Sequence, residues 1–111
     1  MNLAVVDDDL FLEHREPAGH PERRERLGAA RKGLAQSSVS DRARILPPRD
    51  ASREELQRVH SVEHLDRLQL CSGHSGYLDA DTYYSPRSWE AAQRASGGGL
   101  SLVDALLGGE F

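Results

Sequence analysis

Cysteine is nearly absent from this chain. Cys71 has no second thiol with which to form an internal disulfide, so a small secreted scaffold held by disulfides is excluded and a reducing cytoplasm is the expected compartment. Long apolar runs are missing too, and no stretch approaches the length of a bilayer span or a signal-peptide core. Nor is there a basic excess. A net charge of −4 and a pI near 5.7 argue against a nucleic-acid partner, which needs a cationic face. Lysine is reduced to Lys32, the other thirteen basic residues being Arg spread along the chain, a compositional habit and not a site. Aromatics make up only 5% of the 111 residues. They are not scattered, however: all three tyrosines and the single tryptophan fall between Gly76 and Ala92.

That stretch organises the chain. It reads as a loop feeding a helix, with Ser85 as N-cap, Pro86 at the first helical position and Glu90 near the positive end of the dipole. Asp79 and Asp81 form an Asp-x-Asp-Thr turn, for which spacing alone suggests Asx-type bonding. From Pro86 the apolar period runs through Trp89, Ala92, Ser96, Gly99 or Leu100, Val103 and Leu106 or Leu107. It survives the triple glycine at 97–99, so the sequence predicts one long helix or a kinked pair, its glycines admitting another element close to the backbone.

Upstream, Leu3 to Val6 reads as a short buried strand ended by Asp7 to Asp9, acids that line a site or lie solvated in a turn. Pro21 opens a helix through about Leu34, with Leu27, Ala30 and Leu34 as its stripe and Glu22 to Arg26 as the clearest ion pair. Ala43 to Leu46 is a second strand, stopped by Pro47 and Pro48. Ser52 caps a helix with Glu54 and Glu55 in its first turn, from which Leu56 and Val59 face inward. Ser61 caps the next helix, where Val62, Leu65, Leu68 and Leu70 continue the stripe, and residues 71–76 form a loop. A chain of this size makes one domain at most.

Two metal patterns need weighing. His60-Ser61-Val62-Glu63-His64 matches the inverted zinc-protease motif, which requires both histidines on one face of one helix. Ser61 as a cap breaks that geometry. His14, His20, Cys71 and His74 form a dispersed set of mixed ligand type, for which a buried thiol and exposed histidines are the preferred reading over a structural zinc.

The sequence also resembles a family. Leu78-Asp79-x-Asp81-Thr82-(x)2-Ser85-Pro86-x-Ser88-Trp89-Glu90-Ala91-Ala92, followed by a helix of small residues, is similar to the loop and helix found early in the zinc-dependent deacetylase superfamily. That superfamily groups histone deacetylases, acetoin-utilisation proteins and acetylpolyamine amidohydrolases. Three more matches come in the family's order: His14-(x)5-His20-Pro21-Glu22-Arg23-Arg24-Glu25-Arg26-Leu27, then Ala51-Ser52-Arg53-Glu54-Glu55-Leu56-(x)3-His60-Ser61, then Glu63-His64-Leu65. The resemblance implies an α/β fold, the N-terminal part of an arginase/deacetylase-like domain, helix-rich with two short parallel strands, residues 1–111 forming a single segment that is incomplete relative to the family.

It also implies the chemistry. A zinc-bound water attacks an acetyl-lysine or acetylpolyamine amide, the metal lowering the water's pKa and polarising the carbonyl. In the family two aspartates and a histidine on later strands hold the zinc, announced by a His-His pair and an Asp-x-His motif, neither of which occurs here, so no catalytic residue and no bound zinc are expected of this chain itself. Asp81 matches the family's substrate-orienting carboxylate, where a charged acceptor makes a strong, directional bond to substrate amides. The residue-level alternative is a turn-capping acid. His20 and Tyr83 are expected at the rim of the cleft, with Asp79 structural. In some family members His and Cys from the regions of His14, His20, Cys71 and His74 hold a structural zinc, but their local Cys-x-Cys is absent here.

The expected partners are the remainder of a deacetylase domain or a second copy of the chain, and an acylated substrate in the complete enzyme. A non-catalytic helical interaction module derived from that fold is the alternative.

Overall fold

The computed structural model describes residues 2–111. Strand β1 (Leu3–Val6), helix α1 (Glu25–Gln36) and strand β2 (Ala43–Leu46) form a β-α-β unit. The strands pair in parallel from Leu3 against Ala43 to Val6 against Leu46. Parallel neighbours need such a crossover, and the Val- and Ile-bearing runs bounded by Asp7 and Pro47 supply strands of the right length. Two short helices follow, α2 (Arg53–Gln57) and α3 (Val62–Gln69). Ser52 caps α2 in a full capping box with Glu55, and Ser61 accepts from the His64 amide to start α3, both as the sequence predicts.

Strands β3 (Gly76–Asp79) and β4 (Thr82–Tyr84) then form an antiparallel hairpin with an irregularity between Tyr77 and Asp79. The sequence reading treats this part as loop. The pairing is only three or four residues long and carries no two-sided alternation, so its hydrogen bonds and not its pattern define it. Helix α4 (Ser88–Leu107) is one continuous helix of 20 residues, and it packs against β1 and the 3-10 turn of residues 9–13.

The glycines act as expected. A Cβ on Gly97 would lie 1.8 Å from the Arg49 carbonyl oxygen, and one on Gly98 would lie 2.7 Å from Val6 Cγ1. The Ala51 amide, in the segment crossing at that point, donates to the Gln93 carbonyl of α4 at 3.1 Å. Glycine is therefore required for backbone to meet helix here.

Several local expectations are corrected. α1 begins at Glu25 and not at Pro21: the Glu22 carbonyl, which a helix from Pro21 would pair with the Arg26 amide, accepts from Tyr83, and the Arg26 amide donates to the Arg23 carbonyl instead. Glu22 consequently lies outside the helix and has no ion pair with Arg26, facing His14 at 4.0 Å instead. Ser85 is not the cap of α4. Its hydroxyl donates to the Glu13 carbonyl and accepts from the Arg15 amide, so it ties the hairpin exit to a segment 70 residues away, while Pro86 lies in the intervening turn.

The buried side of α4 is Ala91, Gly97, Gly98 and Ala105, whereas Ala92, Ser96, Gly99, Val103, Leu106 and Leu107 face outward. Val59, Val62 and Leu70 are exposed as well, at the ends of two helices too short to bury a continuous stripe. Small residues won the inner face because only they permit the close approach of β1 and the 49–51 segment.

The core is correspondingly thin. Leu10, Ala51, Leu65, Tyr83, Ala91 and Ala105 are its buried apolar residues. The radius of gyration, 15.7 Å, exceeds the roughly 13 Å of a compact domain of this length. With extents of 41 × 35 × 19 Å the chain forms a slab with apolar side chains on its outer faces.

Candidate functional site

The tip of the hairpin is where the singled-out residues meet. Asp79 accepts the Asp81 amide at 2.9 Å, the Asx-type bond that its spacing predicts. That bond, followed by one from Thr82, holds its carboxyl below the usual range. Asp79 is thus structural, and Asp81 is left projecting with its side chain 92% exposed. Its Oδ1 lies 3.1 Å from His20 Nε2.

His20 is fixed on its other sides. The Glu22 amide donates to Nδ1 at 3.1 Å, and the ring meets Tyr83 edge-on at a centroid distance of 4.8 Å. A ring nitrogen that accepts an amide proton carries none itself, so His20 holds its proton on Nε2 and donates it to Asp81. Tyr83 is the centre of the cluster. It is buried, its hydroxyl donates to the Glu22 carbonyl at 3.0 Å, and its second face stacks on His14 at 4.5 Å. Burial, then the charges of Glu22 and Glu16, raises the phenol pKa and keeps the hydroxyl a donor. His14 Nδ1 in turn lies 2.6 Å from Ser88 Oγ at the start of α4.

His14 and His20 therefore flank one tyrosine, but they do not join Cys71 and His74 as ligands. The Cys71 thiol donates to the Arg67 carbonyl at 3.7 Å, and the His74 amide to the Cys71 carbonyl. Among the described residues no three His, Cys, Asp or Glu side chains converge as a metal-binding set. His60 and His64 approach each other with ring centroids 5.2 Å apart, but from opposite sides of the Ser61 cap, and His64 Nδ1 faces the Arg67 guanidinium at 3.1 Å. Among the described residues no third ligand stands beside them.

The acids after β1 are held in ion pairs, with Asp7 and Asp8 partly covered and Asp9 still 87% exposed. Arg31 grips Asp7 with two bonds of 2.7 and 2.8 Å and reaches Asp9, while Arg94 bridges Asp8 and Asp50. Charge-assisted bidentate pairs of this kind fasten the strand end to α1 and α4.

Behind the hairpin an apolar cleft of about 430 Å³ opens between α3 and α4, lined by Phe11, Leu56, Leu65, Leu68, Leu78 and Trp89 among others. His14 and Tyr83 stand on its wall. Its chemistry is that of unfilled packing, and the polar work is done at the hairpin tip. Sequence reading finds Asp81, His20 and Tyr83 individually and misses the backbone of Glu22, which connects them. No side-chain signal marks a residue that acts through its amide and carbonyl.

Known proteins resemble this chain along most of its length. Residues 20–111 match the model of the histone deacetylase domain. The chain is 32% identical to a probable deacetylase of Archaeoglobus fulgidus, over 99% of its own length and 31% of the relative's. It is 38% identical to polyamine deacetylase HDAC10 of Homo sapiens, over 85% of this chain and 15% of that protein. The crystal structure of the HDA15 HD domain superposes with a TM-score of 0.87 at 32% identity, covering 99% of this chain and 33% of that one. The chain thus spans about a third or less of these relatives. Among the described residues no helix is long and apolar enough to cross a membrane.

Proposed function

The chain belongs to the histone deacetylase domain family, and from that premise we propose that it supplies the substrate-orienting hairpin of a zinc-dependent amidohydrolase acting on acetyl-lysine or acetylpolyamine amides. The observation that carries the proposal is Asp81: an exposed carboxylate at the tip of a hairpin, with one oxygen held by a buried-side histidine. A carboxylate so presented accepts hydrogen bonds from a substrate's backbone amides or amine and fixes the acyl group's approach. His20 and Tyr83 form the wall behind it. In the complete domain the zinc supplies the Lewis acid and the activated water. The described residues offer it no ligand set, since His14, His20 and Cys71 are each engaged with partners inside the chain.

The outward row of α4, Val103, Leu106 and Leu107, is the surface we assign to the remainder of such a domain, with a second copy of the chain as the other occupant. A non-catalytic interaction module would use the same row. The test is hydrolysis of acetyl-lysine and acetylpolyamine substrates by the encoded protein that carries this segment. Asp81→Ala should lower kcat/KM by about tenfold or more, the size expected for a lost charge-assisted bond. Unchanged kcat/KM in the variant would remove Asp81 from the site, and absence of hydrolysis by the parent protein would favour the interaction module.

A further inference from the structure

We infer that His20 is a positioning residue for Asp81, locked in its Nε2–H form by the backbone of Glu22 and the face of Tyr83. The inference rests on the substrate-orienting reading of Asp81 and adds the device that aims it. Among the described residues the Asp81 carboxylate has no other side-chain partner and is 92% exposed, so by itself it would turn freely in water. His20 is the opposite case, with its side chain 15% exposed and contacts on three sides.

The bonds form a directed chain. Tyr83 O–H donates to the Glu22 carbonyl, Glu22 N–H donates to His20 Nδ1, and His20 Nε2–H donates to Asp81 Oδ1. The Glu22 amide occupies Nδ1, so the ring's proton sits on Nε2 and points at Asp81, while Tyr83 holds the Glu22 backbone in the position that makes this bond. Tyr83, the buried residue of β4, thereby fixes, through the carbonyl and amide of Glu22, where an exposed carboxylate points. The entropic cost of holding that carboxylate is met on folding and not when substrate binds.

The test has two arms. In the first, a long-range proton–nitrogen correlation spectrum of the ¹⁵N-histidine-labelled 111-residue chain reads the tautomer of His20. The expected spectrum shows one form, with the proton on Nε2 and Nδ1 unprotonated, which Tyr83→Phe shifts towards the mixture of an exposed histidine. A solvent-like mixture or an Nδ1–H form in the unsubstituted chain overturns the inference whatever the activity. In the second, the encoded full-length protein is assayed for acetyl-lysine and acetylpolyamine hydrolysis. His20→Phe keeps the aromatic packing and removes the donor, and should raise KM about as much as Asp81→Ala, roughly tenfold. His20→Gln places a side-chain N–H near the position of Nε2 and should recover part of that loss. The double variant should be no worse than Asp81→Ala alone. An effect of Asp81→Ala without one of His20→Phe overturns the positioning role and leaves the substrate reading standing. No effect of either overturns both.

Discussion

The inner face of α4 and the hairpin tip are built on opposite principles. Along α4, Gly97 and Gly98 meet the 49–51 backbone and Val6 with no side chain between them, and the fit is one of volume. At the tip, Tyr83, Glu22, His20 and Asp81 are joined by single hydrogen bonds, and the fit is one of direction. A steric fit has no intermediate settings, because a backbone carbonyl cannot move aside for a methyl group as a flexible side chain can. A directional fit degrades by one bond at a time, so it can carry an exposed functional group without endangering the fold.

The largest expected effect lies on the steric side. Gly97→Ala must displace the Arg49 carbonyl and the Ala51 amide, and should destabilise the chain by about 3 kcal/mol, or prevent folding. Gly99, two residues on, has nothing within 4 Å of a Cβ, and alanine there should stabilise by up to about 1 kcal/mol through helix propensity. Urea titration of the pair checks both signs at once. Equal effects would mean that α4 does not pack as described.

On the directional side, Tyr83→Phe removes only the bond to Glu22 and should cost about 1 kcal/mol, while leaving the circular dichroism of the folded chain unchanged. A loss as large as that of Gly97→Ala would show that the tip, too, is held by packing.

The smallest effect is visible only in acid. Glu55 has its carboxyl lowered from 4.5 to about 2, by Arg49 first and then by the Ser52 amide. A depressed folded pKa stabilises above the unfolded value, and this contribution is lost as pH falls from about 4.5 towards 2. Glu55→Gln should therefore flatten the decline of melting temperature across that window and leave the neutral-pH cap nearly intact, since the amide oxygen still accepts from Ser52. An unchanged acid limb would place the acid sensitivity elsewhere.

How much of this could be read in advance depends on the range of the cause. β1, β2 and the Ser52 and Ser61 caps depend on neighbours within a few residues, and their boundaries were legible. The hairpin was not, because its strands are too short to show a period. The sequence places the start of α1 too early because a tertiary bond from Tyr83 takes the Glu22 carbonyl that a first turn would pair with Arg26. The apolar period of α4 was real, but it marks the outward side. Its regular Val and Leu spacing is a surface, and the self-contacting side is made of glycine and alanine, which a hydrophobic count passes over. The motifs single out Asp81, His20 and Tyr83, but nothing in them joins Asp81 to His20 across 61 residues of chain.

The sequence by itself determined the chain's family, its parallel strand pair, the Ser52 and Ser61 caps and the acid at the turn, since each rests on local chemistry or on a contiguous pattern. The tertiary structure alone decided that His20 faces Asp81, that Ser85 binds Glu13 and not its own helix, and which side of α4 lies inward. Those outcomes depend on where distant backbone groups come to rest, and hydrogen bonds and close packing are settled only when the chain has brought them within reach.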